Sequence, residues 1–306
     1  MYEVIVDPPS AEEAVKVIKS NDRIYIQAAA SASQILINAM SARHEELRGV
    51  EVCHLHIEGD APYADPKYKD SFHVNSLFIG KNVRHTIKAG NGSYTPVFLS
   101  EVPNLFKKNV LPVDVALIQV STPDKHGYCS LGVSVEAILA VITNAKHVIA
   151  QINDQMPRVH GEGLIHISEL DTFVEESAPI HEFHMPTPSK IESTIGDYIA
   201  ELIEDRSTLQ MGIGSIPNAV LSRLGNHRDL GLHTEMFSDG VQKANRKRLH
   251  LRHHILLQCL SQRYSDQAIR LRYINYEVAR LVHRYWYLLE NMRCKRHHSI
   301  FQASSL

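Results

Sequence analysis

The sequence predicts an α/β protein with mostly parallel sheets, divided into two domains. Strand-like runs alternate with helix-patterned stretches through the first 240 residues. The longest apolar runs are rich in β-branched residues, as strands covered on both faces require. Pro179, Pro186 and Pro188 interrupt regular structure across 178–188 and split the alternation into two blocks. A chain of 306 residues has room for two domains, and 44% hydrophobic with 22% charged residues is the composition of an ordinary globular protein.

The elements come in order along the chain. Ser10-Ala11-Glu12-Glu13 has the form of a capping box, in which serine and glutamate satisfy free amides at a helix start. Ala14, Val15 and Ile18 give that helix its apolar stripe. Asp22-Arg23 turns into a strand at Ile24-Tyr25-Ile26, and a helix at 32–40 and a strand at 52–56 come next. The run 111–120 ends at Ser121-Thr122-Pro123-Asp124 and reads as a buried parallel strand, as does 148–152. Past the prolines, Ser189-Lys190-Ile191-Glu192 repeats the capping box, and Ile191, Ile195, Ile199, Leu202 and Ile203 succeed it at helical spacing. Asp205 closes that helix, and 208–211 reads as the next strand. There is no internal repeat and no low-complexity segment.

Four segments carry candidate chemistry. Gly212-Ile213-Gly214-Ser215-Ile216-Pro217 lies between a strand and a helix running to Leu224. Its glycines let backbone amides approach an anionic ligand at a helix N-terminus, and Pro217 suits the first turn. A tight connection alone would give the same pattern, and no third glycine completes a dinucleotide fingerprint. Gly231-Leu232-His233-Thr234-Glu235-Met236-Phe237-Ser238-Asp239-Gly240 brings a carboxylate to the end of a short apolar approach. A lone glutamate is ordinarily a surface residue. The position of Glu235 after the glycine turn singles it out, since ligands of parallel sheets gather at the carboxyl ends of strands. In 89–103, Gly90, Asn91 and Gly92 could border a pocket or form a surface loop. The polar stretch 121–132 after the buried strand is open to the same two readings.

In order and spacing these segments resemble the acetyl-CoA hydrolase/transferase family, over about residues 1–245. The match includes Asp114 to Ser134, read as D-V-A-L-I-x-V-S-x-P-D-x-x-G-Y-C-S-L-G-V-S, and the stretch 145–158. It also includes G-I-G-x-I-P and H-T-E-M-F-S-D-G-V. The resemblance implies two CoA-transferase-type α/β domains at 1–185 and 186–250, the second truncated, and after them an unrecognised basic tail at 251–306. It implies that Glu235 is the nucleophile of an acyl-CoA:carboxylate CoA-transferase similar to 4-hydroxybutyrate and butyrate–acetate enzymes. Gly212, Ile213, Gly214, Ser215 and Ile216 would line the coenzyme A site. Coenzyme A would be a substrate, with no cofactor or metal, and small carboxylic acids would be its partners. A homodimer is the family's common assembly. The alternatives are an acyl-CoA hydrolase and an inactive fragment that binds coenzyme A.

The tail departs from the pattern. Of 32 Lys+Arg, 13 lie in 241–306, against 3 of 34 Asp+Glu, and no glycine or proline occurs after Gly240. The sole tryptophan sits there, in Tyr285-Trp286-Tyr287. A basic helix for nucleic acid or membrane and a divergent partner-binding domain are two readings of this composition. An out-of-frame end explains the abrupt change best, so no nucleic-acid or membrane partner is expected. Elsewhere, Cys53, Cys129, Cys259 and Cys294 form no CxxC pair, which suits a reduced cytoplasmic protein. Cys53-His54-Leu55-His56 alternates its ligand-type side chains across a strand, so no metal site is expected. No export signal and no bilayer-length apolar run is seen.

Overall fold

The computed structural model describes residues 8–159, 161–182, 187–212, 214–232, 236–237 and 258–259. The chain divides into two compact units, one of 1–159 with 163–181 and the other of 160–162 with 182–306.

In the first unit the strands are β1 (Arg23–Ile26), β2 (Val50–His54), β3 (Phe72–Ser76), β4 (Gly92–Tyr94), β5 (Val115–Val120), β6 (Tyr128–Ser130), β7 (His147–Ile152), β8 (Leu164–His166) and β9 (Thr172–Glu175). Seven of them build one sheet in the order β4-β3-β2-β1-β5-β7-β9, every neighbouring pair parallel. β6 and β8 form a separate antiparallel pair. The helices are α1 (Ala11–Ala14), α2 (Gln34–Ala42), α3 (Arg84–Lys88), α4 (Val102–Lys107) and α5 (Ile138–Asn144).

Strand periodicity divides the core. Ile24, Ile26, Val52, Val74, Leu117 and Ile149 pack with Leu36, Ile37 and Met40 of α2 on one face. Tyr25, Cys53, Ala116, Ile118 and Ala150 pack with Phe106 of α4 and Ile138 and Val141 of α5 on the other. Both faces are covered, which is why these strands read as continuous apolar runs. Tyr25 meets the edge of Phe106 with ring centroids 5.1 Å apart.

The box at Ser10 forms as expected, with Ser10 Oγ accepting from Glu13 N at 3.3 Å and Glu13 Oε2 from Ser10 N at 3.2 Å. Several boundaries move, and the strand expected at 208–211 is Thr208–Leu209. Of the run 111–120 the strand is Val115–Val120, with Asp114 leading in: its N donates to the Arg23 carbonyl at 2.9 Å and its carboxylate accepts from Arg23 N at 2.7 Å. The strand expected at 52–56 is Val50–His54, and the helix expected at 32–40 is Gln34–Ala42, capped by Ser33. Of the segment 89–103, Gly92–Tyr94 is an edge strand rather than loop, and Val102–Lys107 is helical.

In the second unit, α6 (Lys190–Glu201) leads to β10 (Thr208–Leu209), then α7 (Ser215–Arg223) and β11 (Gly231–Leu232). β10 and β11 are parallel, so β10–α7–β11 is a compact βαβ unit. Met236–Phe237 and Gln258–Cys259 form a further parallel pair. The expected apolar stripe of α6 is its buried face only in part: Ile203 is buried and Ile195 and Ile199 are half-buried. Ile191 is 74% exposed and Leu202 60%, whereas Gly196 and Ala200 are buried. Close approach decides this: a Cβ on Gly196 would stand 2.8 Å from Ala219 Cβ and 3.0 Å from the Ala219 carbonyl carbon. Small residues bring α6 against α7, and of the larger side chains Ile191 and Leu202 are turned outward.

Candidate functional site

The second unit positions the glycine turn. β10 ends at Leu209, and Gly214 then caps α7 at φ 140° and ψ 176°, a conformation that excludes side chains. No side chain caps this nine-residue helix. Its first rung is Asn218 N donating to the Gly214 carbonyl at 3.3 Å, and Pro217 has no N–H. Gly212, Gly214, Ser215 and Ile216 are thus gathered at one strand-to-helix turn, while Ile213 lies outside the described residues. Ser215 Oγ donates to Glu192 Oε1. Glu192 Oε2 accepts from Ser189 N at 2.6 Å, and Ser189 Oγ accepts from Glu192 N at 3.3 Å. The Ser215 hydroxyl, and after it the Ser189 donors, hold the Glu192 carboxyl below its ordinary range.

β11 lies in register beside β10, with Thr208 opposite Gly231 and Leu209 opposite Leu232. A Cβ on Gly231 would come within 2.7 Å of Thr208 Oγ1, so a larger residue there would have to turn that hydroxyl aside. The chain therefore leaves both strands at the same edge of the pair. Glu235 comes three positions after Leu232 and lies outside the described residues.

In the first unit, strand order reverses between β1 and β5, the switch point at which open parallel sheets form a crevice. It is filled with buried amides. Gln27 Nε2 donates to the Leu131 and Ser134 carbonyls at 3.1 and 2.8 Å, and its Oε1 accepts from Gln119 N at 2.8 Å. Asn153 Nδ2 donates to Gln119 Oε1 at 2.6 Å and to the Ala178 carbonyl at 2.7 Å. Ser33 Oγ donates to Gln151 Oε1 at 2.8 Å. Beside them Glu136 accepts from Tyr25 Oη at 3.1 Å and Ala28 N at 3.0 Å. Burial raises the Glu136 carboxyl against these donors. Every side chain in this group has a partner, so the geometry fixes the loops at the carboxyl edge of the sheet.

Sequence patterns alone do not reveal this group. Its readable trace is Gln119 and Gln151, the polar positions inside two apolar runs, which turn out to be direct cross-strand partners. Glu136 leaves no trace, since its bond to Ala28 spans 108 positions.

The remaining candidates have local roles. Gly90, at φ 77°, turns the chain out of α3, and Asn91 leads into β4 at the sheet's amino edge. Gly92 sits within β4, where a Cβ would meet Ile87 Cδ1 at 2.7 Å and the Val74 carbonyl at 2.9 Å. In 121–132, Asp124 Oδ1 accepts from His126 N and Tyr128 N at 2.8 and 3.0 Å, and Arg158 pairs with Oδ2 at 2.7 Å. His54 donates from Nδ1 to the Leu55 carbonyl at 3.1 Å and accepts at Nε2 from Tyr63 Oη at 2.8 Å, so both ring nitrogens are committed. No described helix is long and apolar enough to cross a membrane.

Residues 8–183 match the family model described as the acetyl-CoA hydrolase/transferase N-terminal domain. The chain is 44% identical over 235 residues to a succinyl-CoA:acetate/propanoyl-CoA:succinate CoA transferase from Fasciola hepatica, covering 76% of this chain and 49% of that protein. It is 44% identical over 234 residues to a 4-hydroxybutyrate coenzyme A transferase from Clostridium kluyveri, covering 76% and 54%. Among solved structures, a 4-hydroxybutyrate CoA-transferase from Porphyromonas gingivalis superposes with a TM-score of 0.68 at 40% identity, covering 79% of this chain and 57% of that one. The chain spans about half the length of the curated relatives it matches.

Proposed function

The chain belongs to the acetyl-CoA hydrolase/transferase family, and from that premise we propose that it carries the nucleophile of an acyl-CoA:carboxylate CoA-transferase of the 4-hydroxybutyrate/acetate type. The Glu235 carboxylate attacks the acyl-CoA carbonyl, the C–S bond breaks, and an acyl-glutamyl anhydride and CoA thiolate result. The thiolate attacks the glutamyl carbonyl, releasing the first acid as its carboxylate and leaving a glutamyl-CoA thioester. A second carboxylate reverses both steps and departs as the new thioester. Coenzyme A enters and leaves as substrate, and the turn from Gly212 through Ile213, Gly214 and Ser215 to Ile216 receives it through backbone amides. The observation that carries this reading is the parallel β10–β11 pair. Its shared carboxyl edge gives rise both to the glycine turn and to the segment holding Glu235.

Intact-mass analysis after incubation with acetyl-CoA, with peptide mapping, tests it. A CoA adduct on the peptide bearing Glu235, absent from Glu235→Gln and converted by added butyrate to butyryl-CoA, is the expected result. Release of free CoA without a new thioester would replace the transferase by a hydrolase. A chain that binds coenzyme A but forms no adduct would be a binding fragment.

A further inference from the structure

We infer that Glu192 is a positioning residue for the coenzyme A turn, holding Ser215 and with it the start of α7. The inference rests on the proposal that this turn receives coenzyme A. Glu192 stands at the only point where the α6 capping box and the glycine turn share a side chain among the described residues. One carboxylate oxygen closes the box on Ser189 N, and the other accepts the Ser215 hydroxyl. A capping box needs the first of these bonds and not the second. The second reaches across 23 positions to the residue directly after Gly214.

The setting makes that bond directional. α6 and α7 run side by side, with Glu192 at Ser215, Gly196 at Ala219 and Asp197 paired to Arg223. The far ends of the contact are held by close packing and an ion pair. At the turn itself there is no side-chain cap on α7 and Gly214 has no Cβ to restrain it, so the Ser215–Glu192 bond supplies the restraint. Gly214 has no side chain through which it could be held; Ser215 has one, and it is held. The donor geometry offered to a ligand by the first turn of α7 is therefore set from α6. The Ser215 hydroxyl is in turn occupied by Glu192, leaving backbone amides to meet the ligand.

The test is a double-mutant cycle on the full chain, with coenzyme A titrated calorimetrically and a thermal melt for each variant. Glu192→Ala and Ser215→Ala should each weaken coenzyme A binding about fivefold, and the double variant should lose no more than the worse single one, because the two side chains act through one bond. Glu192→Gln keeps an acceptor oxygen and should recover most of the affinity lost in Glu192→Ala. Ser189→Ala, which removes the other half of the box, should lower the melting temperature while sparing the affinity. Losses that multiply in the double variant, or a Ser189→Ala loss equal to that of Glu192→Ala, would overturn the positioning role and leave Glu192 a helix cap. Unchanged affinity in all variants would overturn it as well. An unsubstituted chain that melts cooperatively yet binds no coenzyme A would overturn the functional reading, and the inference with it.

Discussion

At the end of β2, His54 is fully buried and neutral, bonded to the Leu55 carbonyl and the Tyr63 hydroxyl. Burial lowers its pKa from 6.5 to about 4. An unfolded chain takes up this proton as the pH falls through about 6.5, whereas the folded chain does so only near 4. Stability is therefore whole above 6.5 and is lost on acidification between these values, on the order of 3 kcal/mol for one fully buried group. Urea titrations across that window should show a slope that His54→Gln flattens. A parallel slope in the variant would assign the effect to other groups. Tyr25 offers a second residue-scale test. Its buried hydroxyl donates to Glu136, whose other donors are backbone amides. Tyr25→Phe leaves a buried carboxyl short of one donor and should cost about 2 kcal/mol in chemical unfolding.

At the scale of elements, the α6–α7 pair turns on Gly196. Alanine is the better helix former by about 1 kcal/mol. Here, however, its Cβ would press on the Ala219 Cβ and on the backbone of Ala219 and Val220, at 2.8 to 3.1 Å. Gly196→Ala should therefore destabilise the second unit by about 1–3 kcal/mol despite the gain in propensity. Adding Ala219→Gly should recover part of the loss, and additive losses in a double-mutant cycle would show that the two positions do not meet. Element existence was largely legible: the boxes at Ser10 and Ser189 each form, because their bonds span three positions and need no distant partner. The face that α6 buries was legible only in part. Of the expected stripe, Ile195, Ile199 and Ile203 are half-buried or buried while Ile191 and Leu202 are exposed, and the contact with α7 is set by the smallness of Gly196 and Ala219, a property of two helices together.

At the scale of the molecule, both large core clusters draw all of their residues from 11–174, on the two faces of the seven-stranded sheet. A chain ending after residue 182 should therefore retain a cooperative thermal transition by circular dichroism, with a midpoint within a few degrees of the corresponding transition of the full chain. A non-cooperative melt would show that the first unit depends on the second for its stability. The sequence by itself determined the α/β class, the parallel character of the sheet and the family, because these are written in local periodicity, in caps and in motif order. It also singled out the glycine turn at 212–216 as a candidate. Only the tertiary structure decided that Gln27, Gln119 and Asn153 meet at the strand-order reversal, that Glu136 faces Tyr25, and that Glu192 holds Ser215. Those contacts join positions 23 to 111 apart. Such pairings depend on strand order and helix approach, which no local pattern encodes.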